Sequence, residues 1–229
     1  MLITTFCIKI EGIVIVELAL LMTCITAAIC LAILNIHAFL AKNSPLKADV
    51  LVVEGWLPDY ALRSAATEFK NGSYQKLITI GGSLPRGFYL SEYQNFAELA
   101  AATLVAIGVE PVHIFIVADP SQSPGRTSSS AAILARWLST SNLQITALNL
   151  FTLGTHSRRS WLLFKKILAP QISVGIISVE PLNYNPKSWW HSSEGFRTVI
   201  SELLAYLYVR IFTLKLLLSW GINDRPIDL

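Results

Sequence analysis

From Leu18 to Ala41 the chain runs 24 residues without a formal charge, and the nearest charge upstream is the lone Glu17. At ~1.5 Å of helical rise per residue this segment reaches about 36 Å, enough to cross a hydrocarbon core of roughly 30 Å with some tilt. The length and absence of charge predict a retained transmembrane helix. A cleaved secretory signal is disfavoured because its apolar region is only about 7–15 residues long and is followed by small residues at fixed spacing, which Ala38-Phe39-Leu40-Ala41 does not supply. A lipoprotein signal at Cys30 meets the bulky Ile29 where a small residue is needed. Lys9 lies on one side of the span and Lys42 and Lys47 on the other, so basic-residue asymmetry leaves its orientation open.

With the anchor set aside, about 180 residues remain, enough for one domain. The predicted organisation is an anchor segment over residues 1–41, a linker over 42–48, an α/β domain over 49–221 that includes a C-terminal helix, and a tail over 222–229. A net charge of +3 with no run of Lys or Arg argues against nucleic acid as a partner. All three cysteines, Cys7, Cys24 and Cys30, lie in or before the anchor, so the domain can form neither a disulfide nor a Cys-ligated zinc site.

Beyond the linker, short apolar runs alternate with helical segments. Val50–Glu54, Leu77–Ile80, His113–Val117, Thr146–Leu153 and Ser173–Val179 read as strands. Helices are expected over Tyr60–Asn71, Ser91–Ile107 with Gly108 as its stop, Thr127 or Ser128 to Leu138, and Ser157–Leu168. Strands that are apolar throughout are buried on both faces, which predicts about five mainly parallel strands between two helical layers.

Ligands of such sheets bind beyond the carboxyl ends of the strands, where loops meet helix N-termini. That rule selects Glu54, the pair Gly81-Gly82, Arg126-Thr127 and the run Thr155-His156-Ser157-Arg158-Arg159. An imidazole near neutral pKa moves protons and a guanidinium forks onto oxyanions. His156, Glu54 and Glu92 are therefore the acid–base candidates, and Gly81, Gly82, Arg126, Thr127, Arg158 and Arg159 the ligand-binding candidates. Neighbouring helical residues diverge by ~100°, so at most one of Arg158 and Arg159 is expected in the cleft, the other lying on the surface. The glycine pair could equally make a tight turn, and Glu92 could serve the helix dipole in a first turn. A metal site from His156, His191, Glu54 and Glu194 has no paired-histidine spacing behind it, so none is expected. No cofactor is specified.

Several of these motifs occur in a familiar order. The run Asp49 to Trp56, Arg63, the strand Lys76 to Gly82, Ser91-Glu92, Gly108-Val109, Arg126-Thr127 with Ser130-Ala131, and the stretch Thr152 to Leu168 resemble the ElyC/SanA/YdcF family of envelope-associated proteins. The resemblance implies a Rossmann-like three-layer α/β sandwich on a bacterial inner-membrane anchor, with the domain in the periplasm and a link to cell-envelope or peptidoglycan integrity. It carries the family's cleft positions onto Gly81, Gly82, Glu92, Thr127, His156 and Arg159. One soluble member binds S-adenosylmethionine, but where the family has a Gly-rich first turn this chain has Glu54-Gly55-Trp56.

The stretch from Pro181 to Glu194 carries Trp189 and Trp190, which could stack on a ligand, sit at headgroup depth or cover the sheet. A helix then runs from Ser192 or Ser193 toward Leu218, and its apolar end, broken by Arg210 and Lys215, suits an interfacial or anchor-packing role. The leading functional expectation is a membrane-anchored envelope factor whose electropositive rim binds an anionic, phosphorylated or lipid-linked ligand. Its partners would be the lipid bilayer, that ligand and envelope-assembly proteins. A hydrolase or transferase acting on a phosphoryl or acyl centre through a His general acid/base is the alternative, and a purely structural scaffold the third.

Overall fold

The computed structural model describes the backbone of residues 2–84, 92–119 and 126–220, and the side chains of 15–84, 92–119 and 127–211. Five strands, β1 (Val50–Glu54), β2 (Lys76–Gly82), β3 (Ile114–Asp119), β4 (Ala147–Leu153) and β5 (Ser173–Val179), form one sheet in the order β3-β2-β1-β4-β5. Every neighbouring pair is parallel. The helices are α1 (Leu2–Leu40), α2 (Asp59–Asn71), α3 (Phe96–Ala106), α4 (Arg126–Thr140), α5 (Ser157–Leu168) and α6 (Ser193–Trp220). The architecture is the expected Rossmann-like α/β sandwich.

Strand alternation sorts the core into two layers. Val50, Val52, Ile78, Ile80, Leu148 and Leu150 pack against Ala131 and Leu134 of α4 and Phe164 of α5. Leu51, Val53, Leu77 and Phe151 point the other way, onto Ala61, Leu62, Ala65 and Ala66 of α2 and Ala100 and Leu104 of α3. Because β1 pairs with β2 on one side and β4 on the other, the chain reverses its winding between β1 and β4, and the crevice at that reversal is the usual ligand position.

Two expectations are corrected here. Gly81 and Gly82 do not form a turn; β2 continues through both, with Gly82 in register with Asp119 of β3. Helix α3 starts at Phe96, not Ser91, because the Asn95 side chain accepts from the Glu98 amide at 2.9 Å while Glu98 Oε2 accepts from the Gln94 amide at 3.0 Å, a capping arrangement that Glu92 cannot supply. Ser91 itself lies outside the described residues. At the other end Gly108, with φ +98°, closes α3 as anticipated: its amide bonds to Val105 and that of Val109 to Leu104.

Within α1, Ile15–Leu40 forms a helix of 26 residues with a mean hydropathy of 2.4, long and apolar enough to cross a membrane. Its last two turns enter the domain. Leu40 is fully buried with Tyr184, Trp189 and Val199. Ser157 Oγ donates to the Leu40 and Lys42 carbonyls at 3.1 and 2.8 Å, and the Trp189 indole N–H donates to the Ile33 carbonyl at 3.2 Å. Segment 42–48 is tied down as well: Ser44 bridges to Ile176 on the β5 edge, and the Leu46 amide and carbonyl both bond to the Asn149 side chain.

Candidate functional site

Above the β1/β4 reversal lies a cleft of about 680 Å³ whose walls come from the ends of β1, β2 and β4, the first turns of α4 and α5, and one face of α6. Gly154, at φ +48°, lets the chain turn sharply from β4 into the single helical turn Gly154–His156, which sets the His156 ring over the end of β1.

Four charged groups meet there. His156 Nδ1 lies 2.9 Å from Glu202 Oε1, and His156 Nε2 lies 3.7 Å from Glu54 Oε1. Arg159 grips Glu202 with two bonds, Nε to Oε2 at 2.8 Å and Nη2 to Oε1 at 3.0 Å, while Nη1 donates to Thr127 Oγ1 at 3.1 Å. Glu54 is 4 % exposed and accepts from Ser160 Oγ at 3.0 Å and from the Thr152 hydroxyl. Trp56 packs edge-on against the His156 ring, with centroids 4.9 Å apart.

Burial disfavours the imidazolium, but the carboxylates of Glu54 and Glu202 outweigh it and push His156 up to about 9. Burial likewise opposes ionisation of Glu202, yet the hydrogen bonds from His156 and Arg159 hold it down at about 2. Glu54 is also held below the usual carboxylate range, desolvation being overcome by the His156 charge and by bonds from Thr152 and Ser160. At neutral pH the quartet therefore contains two cations and two anions. The electropositive rim expected from the sequence is not present among the described side chains, because Glu202, 43 residues beyond Arg159, neutralises it.

The sequence-selected residues divide as follows. His156, Arg159, Thr127, Glu54, Gly81 and Gly82 all line the cleft. Gly81 also serves packing: a Cβ there would come 2.8 Å from Phe96 Cβ and 3.0 Å from the Ala97 amide nitrogen. Glu92 is exposed, precedes α3 and is not part of the lining. Arg158 is directed away, as the divergence of helical neighbours requires; its guanidinium lies 3.8 Å from the Phe39 ring centroid and donates to the Phe39 carbonyl, clamping the end of α1. The Arg126 side chain lies outside the described residues. Trp189 is buried against α1 and Phe196. His191 is exposed beside Trp190 and is not part of the cleft lining, and no cluster of three or more His, Cys, Asp or Glu among the described residues is arranged to hold a metal.

Glu202 is the residue that sequence reasoning missed. Its one signal is a lone carboxylate inside the apolar stretch Val199 to Val209. No family model and no curated protein matches the sequence.

Proposed function

We propose that this chain is a membrane-anchored factor of the bacterial cell envelope, akin to the ElyC/SanA/YdcF proteins, whose extracytoplasmic α/β domain binds an anionic, phosphorylated or lipid-linked ligand used in peptidoglycan or envelope-polysaccharide biogenesis. The observation that carries this reading is the convergence of Arg159, His156 and Thr127 in one cleft at the sheet's winding reversal. One buried and three half-buried charges are expensive to desolvate, and a packing role alone would be met at lower cost by apolar side chains. The cleft also changes character along its walls, from Arg159 to Leu163 on α5 and from Glu202 to Ala205 and Val209 on α6, which suits a ligand with a polar head and an apolar body.

Calorimetric titration of the detergent-solubilised chain with a short-chain alkyl phosphate tests the reading. Arg159→Ala is expected to weaken binding by about 1.5–3 kcal/mol, the range for a hydrogen bond to a charged group. Unchanged affinity counts against it. A second reading is favoured by the pairing of His156 with two carboxylates, which keeps a proton on the imidazole as a general acid needs. Turnover of an aryl phosphate by the wild type, lost in His156→Gln, would select that reading.

A further inference from the structure

The donors that an anionic ligand would use are engaged by a side chain of the protein. Glu202 holds the Arg159 guanidinium through both carboxylate oxygens, and one of those oxygens also faces His156 Nδ1 at 2.9 Å. Two-point contact of this kind is how Arg recognises planar and tetrahedral oxyanions. A ligand oxyanion and the Glu202 carboxylate cannot occupy the same donors together. We propose that Glu202 is an internal ligand filling an oxyanion site made by Arg159, His156 and Thr127, and that a phosphate monoester binds by displacing it, releasing α6 from the first turn of α5. The proposal rests on the anion-binding reading above and assigns its regulation.

Charge and packing both permit the exchange. With Glu202 in place the quartet formed with Glu54, His156 and Arg159 is neutral, and without it one positive charge remains for the incoming anion. Past Glu202, one face of helix α6 is left uncovered by the domain: Leu204, Leu207 and Ile211 are 62 %, 42 % and 51 % exposed. The face that remains packed carries Val199, Leu203 and Tyr206 and lies against the end of α1, with the Tyr206 and Phe39 rings 5.5 Å apart. Movement of α6 would therefore be felt at the anchor.

The test compares the full chain in detergent with its Glu202→Gln variant, titrated with inorganic phosphate and with a short-chain alkyl phosphate, alongside amide hydrogen exchange over residues 199–209. Removing an internal competitor raises the fraction of molecules with an open site, so Glu202→Gln should bind at least about tenfold more tightly than wild type. In the wild type, the alkyl phosphate should speed exchange over residues 199–209. Equal affinities for wild type and variant overturn the internal ligand and leave anion binding standing; no binding by either overturns both. If Glu202→Gln does not fold, exchange in the wild type decides, and no acceleration with the alkyl phosphate present overturns the proposal. A marked preference for the alkyl over the inorganic phosphate identifies a lipid head group as the source of the anion, and equal binding identifies a soluble one.

Discussion

His156 shows at the scale of one residue how burial and charge compete. An isolated buried imidazole loses its proton easily, whereas this one, between Glu54 and Glu202, keeps it to about 9. A folded-state value raised above the ordinary 6.5 contributes stability that is fully present below about pH 6.5 and lost as pH rises through about 9. The melting temperature is accordingly expected to fall between pH 6.5 and 10, and the decline should be shallower in His156→Gln; parallel curves would show that the imidazolium does not stabilise the fold. Glu202, held at about 2, behaves oppositely, its contribution disappearing only as pH falls from about 4.5 through 2. His156 and Arg159 were legible as a pair in one short motif because both follow the same strand. Glu202 was not, since its partners lie 43 and 46 positions earlier and only the crossing of α6 over the rim unites them.

Among the elements, β2 and α3 separate two glycines that are indistinguishable in the sequence. A methyl group at Gly81 would press into Phe96 and the Ala97 amide, the first turn of α3, whereas at Gly82 its nearest neighbour is the Asp119 carbonyl oxygen at 4.0 Å. Gly81→Ala should therefore cost about 1–3 kcal/mol in denaturant unfolding, the usual range for overpacking, while Gly82→Ala stays within about 0.5 kcal/mol, as neutral substitutions do. Similar losses at both positions would place the constraint in the strand backbone instead. The strands themselves were readable from continuous apolar runs, and β1, α5 and β5 match their expected limits residue for residue. The start of α3 was not, because a Ser-Glu pair and an Asn-Glu pair are both good caps and only the backbone path after β2 chooses between them.

Taken as a whole, the molecule has no loose tether between its long apolar helix and its domain. Among the described residues, the first α1 atom hydrogen-bonded by the domain is the Ile33 carbonyl, and the turns from there to Leu40 belong to a core shared with Tyr184, Trp189 and Val199. Ile15 to Ile33 then measures about 28 Å at ~1.5 Å per residue, long enough by itself to cross the hydrocarbon core of a bilayer. A chain beginning at Ile33 is expected to fold and melt near the full-length protein, whereas one beginning at Lys42 should melt lower because it opens that core; equal melting temperatures would show the docked turns to be dispensable.

Periodicity and composition alone determined an apolar helix long enough to cross a membrane, the five strands, the parallel arrangement and the strand ends at which chemistry would collect, because each of these depends on residues close together in the chain. Tertiary structure decided which of two adjacent arginines enters the cleft, that Trp189 is buried against the end of α1, and that a carboxylate from the last helix cancels the charge of the rim. Those outcomes depend on contacts between segments far apart in sequence, where a local pattern carries no information about which partner arrives.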